Sequence, residues 1–136
     1  MADDEREQGL ECFEKVMGFR PPVIPNDPFL DTTIDHLFGN VWSRPGLSIR
    51  DRRLVTLTVL MQFGNEATLK LHFGAAMKQQ QLTDAEIDEL IVHVAHYAGW
   101  PVAAVSSQIV RGLRAERETA GRAAPGPLGH QAAKGG

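Results

Sequence analysis

The segment from Thr83 to Ala98 constrains the fold more strongly than any other part of the chain. It begins with TDAE, in which a hydroxyl residue is followed three positions later by a glutamate, the pattern of a helix capping box. Apolar residues then recur at the i, i+3, i+4 spacing that lines one face of a helix. These residues are Ile87, Leu90, Ile91, Val94, Ala95 and Ala98. We therefore predict an amphipathic helix here that packs against other elements.

Turn and cap signals divide the rest of the chain into further helices. Asp27 before a proline and Ser48 before an acidic turn are typical N-caps, and we interpret Gly39 as the end of the second helix, with a loop over residues 40–46. The run LVTLTVLMQF, residues 54–63, also suits a buried strand, but its cap and its length favour a helix. The predicted helices, besides the one after Thr83, cover residues 3–17, 28–38, 49–63, 66–80 and 101–118.

These elements predict an all-α protein with one domain over residues 1–119. The remaining residues, 120–136, are rich in Ala, Gly and Pro and nearly free of large apolar side chains. Such a composition cannot bury enough apolar surface to hold a fixed conformation, so we predict a flexible tail.

Composition excludes several classes of function. The net charge of -3 gives no basic surplus for nucleic acid. No apolar run approaches the roughly 20 residues of a membrane-spanning helix, and the acidic N-terminus is unlike a secretory signal. The single cysteine, Cys12, rules out an internal disulfide or a two-cysteine redox centre. We predict a cytoplasmic protein.

The predicted helix after Thr83 carries polar residues that lie off its apolar stripe. His93 and Tyr97 are four residues apart and share a face, with Glu89 and His96 one turn from His93. Glu89, His93 and His96 form a possible metal-ligand set, but their spacing matches no established helical metal motif. The alternative is a polar outer face.

A second histidine, His72, lies on the flank of the predicted helix 66–80. That helix has one apolar stripe and a second face of small residues, a pattern typical of a helix buried between neighbours within one chain or between subunits. A histidine in that position needs a hydrogen-bond partner. The helical pattern alone favours a structural histidine over a catalytic one.

Four motifs occur in an order and spacing that resembles the carboxymuconolactone decarboxylase family across residues 9–113. They are VWSRPGLSIRDRRLVTLTVL, LKLHFGAA, LTDAEIDELI and HYAGWPVAA. The resemblance implies an alkylhydroperoxidase D-like bundle of about six helices whose subunits assemble into homo-oligomers, commonly trimers or hexamers. It also distinguishes two branches. The peroxidase branch carries a CxxC motif before the histidine, but Asn65 and Thr68 occupy those two positions here, so the chain is similar to the decarboxylase branch.

The resemblance implies cofactor-independent decarboxylation of a small lactone or carbonyl-containing acid, in the catabolism of aromatic compounds. His72 would be the proton donor or the partner of the developing oxyanion, and arginines would bind carboxylates. The implied catalytic residues are His72, Tyr97 and His93, and the implied substrate-binding residues are Arg44, Arg52, Arg53 and Trp42. No metal or other cofactor is implied.

The chain departs from the decarboxylase pattern at several polar positions. Thr68 replaces a glutamate, Gly74 an arginine and Ala104 an asparagine, and QQQ at residues 79–81 replaces NNG. Loss of an arginine removes a charge-assisted contact to a carboxylate. Two alternatives therefore accompany the decarboxylase hypothesis: a non-catalytic oligomeric binding or scaffold protein of the same fold, and a diverged isomerase or hydrolase that uses the same pocket.

Overall fold

The computed structural model describes residues 2–123, which form six α-helices and one π-helical segment. The α-helices are α1 (Ala2–Met17), α2 (Pro28–Thr32), α3 (Ile49–Phe63), α4 (Glu66–Lys78), α5 (Asp84–Ala98) and α6 (Trp100–Ala123). The π segment (Thr33–Trp42) directly follows α2. Residues 2–123 contain no β-strand, so the predicted all-α class is confirmed and the run LVTLTVLMQF is helical.

Polar side chains cap the N-termini of α3, α4 and α5 where the sequence predicts helix starts. Ser48 and Asn65 each accept a hydrogen bond from a backbone amide in the first turn of their helix. Thr83 and Glu86 form the predicted capping box, with reciprocal bonds of 3.0 and 3.1 Å. These caps satisfy amides that have no partner inside the helix, which fixes where each helix begins.

Two clusters of buried apolar side chains form the core, and α4 contributes to both. The larger joins α3, α4, α5 and α6, and includes Phe73. The smaller joins α1 and the π segment, with Ala75 of α4 at its edge. Because Phe73 and Ala75 serve different clusters, α4 is buried on two sides. This confirms that it lies between neighbours within one chain.

The prediction that Gly39 ends the second helix, followed by a loop from residue 40, is wrong. The helical path continues through Gly39 to Trp42 as a π segment. A Cβ at Gly39 would lie 3.7 Å from the Cα of Gly9 on α1, and a Cβ at Gly9 would overlap the carbonyl oxygen of Ile34. Gly9, and not Gly39, therefore permits the close approach of α1 and the π segment. Gly39 does not act as a stop signal.

The last helix is longer than predicted. It begins at Trp100 and continues to Ala123, which includes the first four residues of the predicted tail. The rest of that tail, residues 124–136, lies outside the described residues. Within residues 2–123 no helix is both long and apolar enough to cross a membrane.

Candidate active site

Arg53 occupies a position on α3 that is otherwise apolar. It lies four and eight residues before Leu57 and Met61, so the three side chains share one face of the helix. All three are buried, and Arg53 is fully inaccessible to solvent. A charged side chain on the buried face of an amphipathic helix needs partners that replace water.

The guanidinium of Arg53 is surrounded by neutral partners from four parts of the chain. Its Nε donates to Oε1 of Gln81 at 2.8 Å, and Nη2 donates to the backbone carbonyl of Val16. Its Nη1 lies 2.6 Å from Nδ1 of His72. The ring of Trp42 lies on the guanidinium at 5.3 Å from ring centroid to Cζ, a cation–π contact. The side chain is thus held in one orientation.

No carboxylate among residues 2–123 forms an ion pair with Arg53. Burial lowers its pKa to about 10, so the side chain remains a cation at neutral pH. A buried charge is stable only when its hydrogen-bonding groups are satisfied. Here carbonyl, amide and imidazole acceptors do this, and the indole ring adds a cation–π contact. The chain therefore keeps an unneutralised positive charge directly against His72.

His72 is half-buried on α4 and is neutral at pH 7. Burial and, secondarily, the adjacent charge of Arg53 lower the pKa of His72 to about 4. Because a guanidinium can only donate hydrogen bonds, Nδ1 of His72 is the acceptor in their contact. The histidine has the partner that the sequence requires of it, and its other ring nitrogen remains for a different group.

The glutamines that replace NNG connect the end of α4 to the last turn of α1. Gln81 Nε2 donates to the carbonyl of Val16 at 3.2 Å, and Gln79 Nε2 donates to that of Lys15 at 3.0 Å. These carbonyls belong to the end of a helix, where backbone acceptors lack intrahelical partners. The departure from the family pattern at residues 79–81 thus has a structural role, and Gln81 also contacts Arg53.

Trp42 also forms one wall of a surface depression of about 630 Å³ between α1, the end of the π segment and the start of α3. Lys15 and Arg44 line it, as does the carboxylate of Glu11. Arg52 lies close by and donates from Nη2 to the backbone carbonyl of Arg44 at 3.1 Å. The depression combines an indole wall with cationic side chains, a combination that suits a small organic anion.

His93 and Tyr97 lie on a different surface. Their rings stack at 5.0 Å, and the Tyr97 side chain is 84% exposed. His93 lines a separate depression of about 480 Å³ beside Arg50 and Glu86, which form an ion pair. Neither residue forms a hydrogen bond or a ring contact with His72 in the described part of the chain. Their predicted catalytic role remains a prediction.

The polar face of α5 is exposed, in agreement with the polar-outer-face interpretation. His96 uses Nδ1 to contact the backbone carbonyl of Val92 at 2.7 Å, and its ring meets the edge of Trp100. Within residues 2–123 no group of three or more His, Cys, Asp or Glu side chains is arranged to hold a metal ion. The metal hypothesis for Glu89, His93 and His96 gains no support from their arrangement.

Residues 27–112 match the sequence model of the carboxymuconolactone decarboxylase family. The chain belongs to this family. It is 37% identical over 109 residues to the 4-carboxymuconolactone decarboxylase of Acinetobacter baylyi, a match that covers 74% of the chain and 81% of that protein. It is also 37% identical over 95 residues to the nitrosuccinic acid decarboxylase of Metarhizium robertsii, covering 68% of the chain and 63% of that protein. The resemblance is confirmed.

Membership of the carboxymuconolactone decarboxylase family makes the departures from its decarboxylase pattern informative. Gly74 and Ala104 line two other depressions, outside the contact between Arg53 and His72. A Cβ at Gly74 would meet only a methyl group of Leu113, at 3.8 Å. Thr68, one turn before His72, lies on the same side of α4. Gln81 is linked to the histidine through Arg53, which contacts both side chains.

Sequence analysis missed two participants in this candidate site. One is Gln81, which the motif comparison marks only as a departure. The other is the carbonyl of Val16, a backbone acceptor that has no sequence signature. A signal for the buried cation was present, because Arg53 lies on the same helical face as Leu57 and Met61. Of the predicted site residues, the structure brings three together: His72 contacts Arg53, and Arg53 contacts Trp42.

Proposed function

We propose that the protein is a cofactor-independent decarboxylase of small carboxylic acids, with His72 in its active site. The observation that carries this proposal is a neutral, half-buried histidine held against a buried cation. Membership of the family, and two relatives named as decarboxylases, support the reaction class. The contact with Arg53 supports a role for His72 in the reaction, because an exposed surface histidine would be neither held in place nor kept neutral in this way.

The reaction needs little from the protein besides positioning and electrostatics. The bond between the carboxylate and the carbon that carries it breaks, CO₂ leaves, and the electron pair is delocalised onto an oxygen of an electron-withdrawing group conjugated with that carbon. A proton from water then adds to a carbon of the delocalised system. The enzyme must hold the acid in place and donate a hydrogen bond to the oxygen that gains negative charge.

We assign the hydrogen bond to His72. Since its pKa is about 4, it carries no second proton at pH 7 to deliver to carbon. Of the two roles that the family resemblance leaves open, oxyanion partner is therefore favoured over proton donor. Arg44 and Lys15, in the depression walled by Trp42, are the proposed carboxylate holders. His72 does not line that depression and is connected to it through Trp42 and Arg53. Arg53 is not proposed as one, because its donors are already bound to other groups.

The names of the two relatives suggest a substrate class. One is named for a lactone acid and the other for a nitro acid. Both substrates carry a group that can take up the electron pair left by CO₂, as an enolate or as a nitronate. We propose that this chain acts on an acid with such a group attached to, or conjugated with, the carbon that loses its carboxylate. A role in the catabolism of aromatic compounds and a cytoplasmic location remain predictions.

A homo-oligomer, trimer or hexamer, is proposed as the working form. Large apolar side chains are exposed on the single chain, which is typical of surfaces that another subunit covers. The most exposed aromatic ones are Phe29, Phe63, Tyr97 and Trp100. Light scattering of the purified protein tests the proposal, and a monomer at micromolar concentration would contradict it.

The decisive experiment measures CO₂ release from 4-carboxymuconolactone and from nitrosuccinate. We expect turnover of at least one, and a loss of about 100-fold in kcat for His72→Gln. His96→Gln is the matched control, because His96 is an exposed histidine on α5. Unchanged turnover in His72→Gln would remove His72 from the mechanism. Absence of turnover and of binding for both acids would favour the scaffold alternative.

A further inference from the structure

We propose that Arg53 and Gln81 act as a positioning pair that fixes His72 in the tautomer with its proton on Nε2. The histidine is thereby presented as a hydrogen-bond donor to an oxygen atom of the bound acid. The catalytic consequence rests on the proposed function, but the tautomer is a property of the free protein and is measured without a substrate.

The tautomer follows from the chemistry of the two side chains. A guanidinium has only donors, so Nδ1 of His72, at 2.6 Å from Nη1 of Arg53, accepts and carries no proton. A neutral imidazole has one proton, which must then be on Nε2. With Nδ1 bound to a fixed cation, a flip of the ring would break a charge-assisted hydrogen bond in a buried place.

Gln81 determines where the guanidinium points. Its Nε2 donates to the carbonyl of Val16, which leaves Oε1 as the acceptor for Nε of Arg53. The same carbonyl accepts from Nη2 of Arg53, and Trp42 covers one face of the guanidinium. With Nε, Nη2 and that face occupied, Nη1 is the end directed at His72.

The charged and polar groups around His72 keep its imidazole neutral. From α3 it faces the cation of Arg53, and α1 contributes only neutral groups around that cation, the carbonyl of Val16 and the sulfur of Met17. The segment after α4 contributes the neutral amide of Gln81. No carboxylate in residues 2–123 offsets the charge, which opposes a second proton on the imidazole.

A neutral imidazole that donates from Nε2 is suited to an oxyanion. It supplies a hydrogen bond as charge develops without first binding a proton from solvent, so its contribution does not depend on pH near neutrality. We therefore expect His72 to contribute no pH dependence to kcat between about pH 6 and pH 8.

The first experiment uses the full-length protein without ligand. Nitrogen-15 NMR of histidine-labelled protein, with the His72 signals assigned by their loss in His72→Gln, reports which ring nitrogen carries the proton. We expect protonated Nε2, bare Nδ1, and titration well below the ordinary pKa of 6.5. A proton on Nδ1, or titration near the ordinary value, would overturn the proposal even if the enzyme is active.

The second experiment compares two glutamines. Gln81→Glu places a carboxylate against Arg53, so the pKa of His72 should rise by about one unit or more while the tautomer is retained. Gln79→Glu is the matched control, since Gln79 contacts carbonyls of α1 but not Arg53. Equal shifts in the two variants would overturn the role of Gln81.

Removal of the cation separates positioning from electrostatics. In Arg53→Met we expect both a rise in the pKa of His72 and a mixture of the two tautomers, with the preference for Nε2 restored in Arg53→Lys. Persistence of the Nε2 tautomer in a folded Arg53→Met would contradict the proposal. If that variant does not fold, the comparison of the two glutamines decides. Lack of turnover with both acids would count against the proposed function alone.

Discussion

Nη1 of Arg53 lies 2.6 Å from Nδ1 of His72, although the two residues are separated by 19 positions and belong to different helices. The contact joins a fully buried cation to a half-buried base, and nothing in the described chain neutralises the cation. Two groups that would both be positive at low pH are thus kept adjacent. This arrangement favours the neutral form of the imidazole, so the stability of the fold should depend on pH.

Acidification should destabilise the fold through His72. The unfolded histidine binds a proton below its ordinary pKa of 6.5, whereas the folded one does so only near 4. The contribution of His72 to stability is therefore fully present above the unfolded-state pKa of 6.5, and it is lost as the pH falls from there toward the folded-state pKa of about 4. Urea unfolding at several pH values should show a steeper loss for the wild type than for His72→Gln. Parallel losses in the two proteins would contradict this prediction.

Gly9→Ala should destabilise the protein by roughly 2 kcal/mol or more, because a methyl group would overlap the carbonyl oxygen of Ile34. The matched control is Gly112→Ala on α6, where an added Cβ meets nothing within 4 Å. It should stabilise the helix by about 1 kcal/mol. Thermal unfolding of both variants measures the difference. An unchanged stability in Gly9→Ala would show that α1 shifts easily against the π segment.

Ser106→Ala should raise stability by about 1 kcal/mol. Ser106 is fully buried, and its hydroxyl has no hydrogen-bond partner in the described structure, so the substitution removes a desolvated polar group. Ser107→Ala on the same helix is the control, because that side chain is only partly buried and should gain only the helix propensity of alanine, about 0.5 kcal/mol. Equal effects in denaturant unfolding would mean that the Ser106 hydroxyl is satisfied.

Arg44→Gln should raise KM about threefold to tenfold with little change in kcat, if Arg44 holds the carboxylate equally in ground and transition states. The exposed position of the side chain limits the size of the effect. Arg50→Gln provides the comparison, because Arg50 lines the separate depression beside His93. Steady-state kinetics with the acid that is turned over test both. An effect confined to Arg50→Gln would move the proposed binding site to α5.

The helices were predictable because their ends carry local signals. Ser48 and Thr83 satisfy backbone amides within their own turns, so three or four residues contain the information. Gly39 misled the prediction, because the π segment packs closely against Gly9 of α1, thirty positions earlier in the sequence, and that contact leaves no local signal near Gly39. A glycine signal does not distinguish a helix end from a close approach of two helices.

The candidate site was predictable only in part, for a similar reason. The motif around His72 identified the histidine, but its electrostatics come from Arg53, Gln81 and a carbonyl on α1. An arginine can hold a carboxylate or a histidine, and the sequence does not distinguish these roles. Burial does, because the fully inaccessible guanidinium of Arg53 has its donors engaged within the chain.

The contact between α1 and Arg53 also affects how the protein can be divided. The segment that matches the family model begins at residue 27, whereas the carbonyl that accepts from Arg53 belongs to Val16. A chain trimmed to the matched segment would lack that acceptor and would expose the buried face of the π segment. The first helix is therefore an integral part of the surroundings of Arg53, and the matched segment is shorter than the unit that packs together.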